Sequence, residues 1–189
     1  MDHTRLIPNI VCYVGGTCGD LLSAMLDPTR CTIANGSIKQ EQQRQRLKKP
    51  HSFAGNEEKD QYLLSMTGVY KSVPSHDLAY HIERKHSFLS VVVENFDTAY
   101  WAADRFKQLH RPHVWNEMQR LCGAQTVKDY AQIIINFSKL VALHTQNVVL
   151  LDSIVEGRAV EQLEYITNKS LSTEANDLYT QWLECQNTL

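Results

Sequence analysis

Within seventeen residues the chain passes from one structural period to another, and that passage limits what it can fold into. The stretch from 7 to 26 reads Ile-Pro-Asn-Ile-Val-Cys-Tyr-Val-Gly-Gly-Thr-Cys-Gly-Asp-Leu-Leu-Ser-Ala-Met-Leu. Ile10 to Val14 is a short apolar run rich in β-branched and aromatic residues, whereas Leu21, Leu22, Met25 and Leu26 recur at helical spacing. Gly15, Gly16 and Gly19 stand between them. The pattern is a buried strand, a glycine turn and a helix. Successive backbone N–H groups in such a turn can point at one spot, and the positive end of the helix dipole adds to them, so the expected product is an anion site.

The loop lacks the Gly-x-x-x-x-Gly-Lys-Ser/Thr spacing of a nucleotide-binding P-loop. Gly15 and Gly19 are too close together, and Asp20 stands where the lysine would be. The competing reading is a tight turn in which the glycines serve backbone geometry and Asp20 caps the helix. Its place after the first strand of an α/β chain favours the anion site.

A chain of 189 residues suits one domain with a full core, 1–189. With 43% hydrophobic and 21% charged residues it has the composition of a globular protein rather than a disordered one. A formal net charge of −2 supplies no global field to gather nucleic acid or an anionic membrane, so any anion binding must be local. No run approaches the roughly 18–20 apolar residues of a membrane span, and no secretory h-region follows the N-terminal Met-Asp-His-Thr-Arg. Five cysteines with no CxxC spacing imply neither a disulfide framework nor a zinc site, and fit a reducing cytoplasm. Cys18 differs from the other four, because a thiol at a helix N-terminus would be acidified.

Further along, Asp27-Pro28 ends the first helix and a polar segment follows. Lys39 to Lys49 is helical in propensity but nearly without apolar residues, so the basic polar segment at 37–56, with Arg44, Arg46, Lys48 and Lys49, is either a solvated charge run or a lid. Glu57 to Met66 reads as a helix, Gly68 to Val73 as a strand ending at Pro74, Phe88 to Val93 as a strand, and Phe96 to Leu109 as a helix with Phe96, Tyr100, Ala103 and Phe106 on its inner face. Helices are expected at His113 to Leu121, Thr126 to Leu143, Gly157 to Ile166 and Glu174 to Cys185, with a last strand at Asn147 to Leu151. Short apolar strands alternating with helices argue for a mainly parallel sheet in a three-layer α/β/α fold. His76 then falls just past the end of a strand, where ligands bind in open α/β sheets.

The ordered set of a glycine loop after strand one, a histidine after the next strand, and Glu94-Asn95-Phe96-Asp97 after another resembles the P-loop-fold sulfotransferases, including divergent viral and bacterial versions. Val14-Gly15-Gly16-Thr17 matches the Gly-Thr of that family's first loop. Lys71-Ser72-Val73-Pro74-Ser75-His76 is similar to its Lys-x-His segment, and Val93-Glu94-Asn95-Phe96-Asp97 shares the frame of its 3′-phosphate-binding Arg-Asn-Pro-x-Asp. Val149 to Ile154 looks like its late strand and acidic turn. Two departures weigh against the usual donor. Val14 replaces the loop lysine, and Glu94 replaces the arginine that would hold the 3′-phosphate.

The resemblance implies transfer of a sulfuryl group from 3′-phosphoadenosine 5′-phosphosulfate, as nucleotide donor, to an acceptor hydroxyl. His76 would be the general base, and Thr17 with the N–H groups of Gly16 to Asp20 would stabilise the leaving phosphate. Donor-binding residues would be Gly15, Gly16, Thr17, Cys18, Gly19, Asp20, Asn95 and Arg105, the last compensating for the missing cations. Two alternatives stand beside it. One is a nucleotide, nucleoside or nucleic-acid kinase using ATP and Mg²⁺, with Thr17, Asp20 and Asp152 near the metal but no lysine in register. The other is a catalytically inactive P-loop-like binding module, with Arg105, Phe106, Lys107, His110, Arg111, His113 and Trp115 as a contact surface that leaves nucleic acid open as a partner.

Overall fold

The computed structural model describes residues 8–28, 31–34, 37–40, 49–50, 52, 54–65, 71–110 and 112–186. Its centre is a four-stranded, all-parallel sheet of β1 (Ile10–Cys12), β4 (Val73–Ser75), β5 (Phe88–Val92) and β6 (Val148–Leu150), in the spatial order β4-β1-β5-β6. Helices cover both faces, giving the three-layer α/β/α architecture that the strand pattern leads one to expect. Alternation along the strands sorts the side chains. Val11, Leu89, Val91 and Val149 pack with Leu21, Leu22 and Met25 of α1 (Gly19–Leu26), Leu163 of α8 (Ala159–Thr167), and Tyr179 and Trp182 of α9 (Thr173–Gln186). Ile10, Cys12, Phe88 and Val92 face the other way. They meet Tyr62 of α2 (Asn56–Leu64), Leu78 of α3 (Leu78–Glu83) and Val141 of α6 (Val127–Ala142).

The sequence leads one to end a strand at Pro74, yet Pro74 lies inside β4, opposite Val11. As an edge strand, β4 pairs on one side only, so a residue without an N–H costs it no ladder bond. A second sheet lies outside what the strand pattern predicts. β2 (Cys31–Ala34) and β3 (Ser37–Gln40) pair antiparallel with Ile33 opposite Ile38. Lys39 and Gln40 are therefore strand residues rather than the start of a helix, while Arg44, Arg46 and Lys48 lie outside the described residues. Lys49 is not a solvated cation. It is 5% exposed, donates to the carbonyls of Ser23 at 2.7 Å and Asp27 at 2.9 Å, and has an Asp27 carboxylate oxygen at 3.9 Å.

The inner face of α4 (Phe96–Leu109) also differs from expectation. Ala99, Ala102, Ala103 and Phe106 are buried, whereas Phe96 and Tyr100 are 38% and 45% exposed. Three alanines in that stripe let the helix backbone come close to what lies beneath it. α5 (Pro112–Cys122) follows, with Trp115 against Phe106, and α7 (Leu151–Val155) continues directly from β6.

Candidate functional site

Because all four strands run the same way, the turns that follow β4, β1, β5 and β6 gather at one edge of the sheet. From β1 the chain proceeds to β4 on one side; from β4 it returns past β1 to β5 and then β6 on the other. The crevice where the connections part, outside the carboxyl ends of β1 and β5, is where open α/β sheets bind ligands. Tyr13 to Cys18 and Val93 to Asn95 leave the sheet there.

The glycine turn is compact. Thr17 N–H and its Oγ1 both donate to the Val14 carbonyl, at 3.2 and 2.7 Å, and Thr17 is 1% exposed, so its hydroxyl is committed to the backbone. Gly16 has φ of +92°, and a Cβ there would sit 2.5 Å from the Ala102 carbonyl oxygen of α4. A Cβ on Gly19 would fall 2.0 Å from the Tyr13 ring. Gly15 accepts from the Tyr130 hydroxyl at 3.1 Å. These glycines thus serve close packing, with α4 crossing over the turn. Cys18, at φ of +63°, is the N-cap of α1 and makes no side-chain cap, and Asp20 lies in the first helical turn rather than capping it. Among the described residues, the N–H groups of Cys18, Gly19, Asp20 and Leu21 have no acceptor within the protein, as the opening N–H groups of a helix do not.

His76 follows β4 on the same edge. Its Nδ1 donates to the Tyr13 carbonyl at 2.7 Å, and its ring lies 4.5 Å from the Tyr13 ring. A proton fixed on Nδ1 makes Nε2 the basic nitrogen of the neutral ring. Burial lowers the pKa of His76. The bond to Tyr13 O and the Asp20 carboxylate oppose that shift, while Lys59 and His110 add to it. Lys59, His110 and Tyr13 belong to this edge although the sequence gives little sign of it. Lys59 is 3% exposed and donates to Ser52 O at 2.9 Å and Ser75 Oγ at 3.4 Å. His110 closes α4, its ring tilted against that of Phe106 with centroids 4.2 Å apart. The Tyr13 hydroxyl is buried near Asp20 and Ser52 but in hydrogen-bond geometry with neither, and burial pushes its pKa well up, with Asp20 adding to the shift.

The remaining sequence-derived residues are divided. Arg105 comes alongside the loop, since its charge lowers the Cys18 thiol pKa, yet burial outweighs it and lifts that thiol to about 11. Cys18 is accordingly not an acidified, reactive thiol. The Arg105 guanidinium lies over Trp101 and Trp182, at 5.6 and 5.4 Å, and its Nε donates to Gln186 Oε1 at 2.7 Å. It lines a cleft of about 760 Å³ with Trp101, Leu183 and Gln186. Asn95 is a helix cap: its Oδ1 accepts from Thr98 N at 2.7 Å and its Nδ2 donates to Asp152 at 2.9 Å. Asp152 also accepts from the Thr98 hydroxyl. Glu94 is exposed. Among the described residues no three His, Cys, Asp or Glu side chains are grouped to hold a metal ion, and no helix is long and apolar enough to cross a membrane. No family model, no curated protein and no solved structure matches the chain.

Proposed function

We propose that the chain is a group transferase that moves a sulfuryl group from a nucleotide donor to an acceptor hydroxyl at the carboxyl edge of the sheet. The observation that carries this reading is the His76 to Tyr13 hydrogen bond. It ties the histidine to the residue that opens the glycine turn and, with the proton on Nδ1, makes Nε2 the basic nitrogen, while burial favours the neutral ring. The acceptor oxygen would attack sulfur while the bond from sulfur to the donor's phosphate oxygen breaks. The hydroxyl proton passes to His76 Nε2, and the negative charge left on the phosphate faces the open N–H groups of Gly19 to Leu21 and the α1 dipole. Arg105 supplies the nearby positive charge that Val14 and Glu94 do not.

A binding module without catalysis is the second reading. It is favoured by the packing of Gly15 and Gly16 beneath α4 and by the Thr17 hydroxyl being turned inward. Single-turnover kinetics with 3′-phosphoadenosine 5′-phosphosulfate and a panel of phenol and sugar acceptors separates the two. Transfer should occur, and His76→Ala should slow it by about 10²–10⁴ with donor affinity little changed. Donor binding with no transfer to any acceptor would favour the module.

A further inference from the structure

One buried polar chain lies beside the candidate site without being part of it. His81, on α3 and 2% exposed, has its Nε2 2.8 Å from Ser75 Oγ and its Nδ1 3.2 Å from His86 Nδ1. The proton positions follow from counting donors. Ser75 Oγ receives the Asp77 N–H at 3.2 Å and the Lys59 ammonium at 3.4 Å, which occupies its two lone pairs. Its own hydrogen must therefore go to His81 Nε2. A neutral His81 then carries its proton on Nδ1 and donates it to His86 Nδ1, and His86 holds its proton on Nε2. His86 lines a cleft of about 470 Å³ with Asn9, Asp60 and Ser87, so the chain runs from a buried lysine to a solvent-reached histidine.

From this geometry we infer that the His81–His86 pair is an acid-released latch holding the β4–α3 turn, and with it His76, in place. Only one hydrogen fits between two nitrogens 3.2 Å apart. A second proton on His86 must enter at Nδ1, where it meets the His81 N–H head on. A second proton on His81 must enter at Nε2, where it displaces the Ser75 hydroxyl hydrogen. Either event breaks a bond of the chain, and both rings cannot be charged while it is closed.

The surroundings reinforce the neutral state. From α2, Lys59 opposes a charge on His81, while Asp60 favours one; Asp77, at the head of α3, also favours it. Tyr80 of α3 packs edge-on against both rings, and Phe88 of β5 lies 6.5 Å from His81. Burial, first, and then the His86 and Lys59 charges hold the His81 pKa down to about 4. Release frees α3 at its centre, and the turn that it anchors contains Ser75, His76 and Asp77.

Imidazole ¹⁵N spectra of the full chain at pH 7 should show His81 protonated at Nδ1 and His86 at Nε2. The opposite assignment for either ring would overturn the inference. Amide exchange across 76–86, corrected for the intrinsic pH dependence, should quicken about tenfold between pH 7 and pH 5 while the helices α6 and α9 stay protected. His86→Phe keeps the ring packing against Tyr80 and cannot be protonated, so its exchange across 76–86 should lose that pH dependence. Should His86→Phe fail to fold, His86→Gln serves instead, its amide able to accept from His81. Equal acid sensitivity in wild type and in a folded His86 variant, or none in wild type, would contradict the latch.

Discussion

Two regions of the interior are built on different principles. On the side of α1, α8 and α9 the interior is apolar: Trp182, Leu21, Leu22, Met25 and Leu163 are all 2% exposed or less. Toward the β4 edge, between the C-terminal end of α1 and the helices α2 and α3, the chain buries Lys49, Lys59, Lys71, Asp27, Ser75 and His81, each at 5% or less. Tyr62 donates to Asp27 at 2.7 Å, and Lys71 gives its ammonium to the Tyr62 carbonyl at 2.8 Å, so these charges are paired rather than stranded. A polar interior of this kind contributes little net stability compared with apolar packing, but losing one partner from it is costly, and it fixes one arrangement of side chains. The candidate base stands at the border of the two, on the polar side.

That contrast can be broken most strongly from the apolar side. Trp182→Ala empties a fully packed position and should cost about 3–5 kcal/mol by urea denaturation. Lys49→Met tests the polar side, because it removes the cation facing the buried Asp27 carboxylate and the donor to two carbonyls; the expected loss is about 3 kcal/mol. If Lys49→Met is neutral, the polar interior is softer than these distances imply. Gly19→Ala probes the junction, since its Cβ would strike the Tyr13 ring; overpacking of this kind costs about 1–3 kcal/mol, so larger residues at that position would report on folding rather than on ligand binding.

Acid offers a smaller effect that should come from one side alone. His81 and His76 have folded pKa values below their ordinary 6.5, so between the two values the unfolded chain binds more protons and stability falls as the pH drops. The fall begins near pH 6.5 and levels off near pH 4, where His81 itself titrates. For His81 it amounts to roughly 1–2 kcal/mol between pH 7 and pH 5, read from urea midpoints, and should shrink in His81→Asn.

The same contrast explains what could be read from the sequence. Helices with an apolar stripe announced themselves: Tyr130, Ile134 and Val141 of α6 are buried at the spacing expected, and the strands at Ile10 and Phe88 are where short apolar runs stand. The parallel sheet, and with it the placing of His76 on the edge that holds the glycine turn, followed from strands alternating with helices. The polar half gives no such signal, since a buried lysine looks like a surface one: Lys49 reads as part of a run that is either solvated or a lid, and nothing in the sequence marks Lys59 as buried. Asn35-Gly36, a dipeptide that favours hairpins, is the one sequence sign of β2 and β3, and it is a weak one because the flanking strands are short and only Ile33 and Ile38 mark them. On α4 the aromatics Phe96 and Tyr100 suggest an inner face that in fact belongs to the alanines at 99, 102 and 103, which do the close packing.

Whether the carboxyl edge holds an anionic nucleotide is tested most directly by titrating adenosine 3′,5′-bisphosphate into ¹⁵N-labelled protein. The account predicts saturable binding, with the largest amide shifts at Gly19, Asp20 and Leu21 and a change at His76 Nε2. No binding, or shifts confined to the Trp101 and Arg105 cleft with Gly19 to Leu21 unmoved, would contradict it.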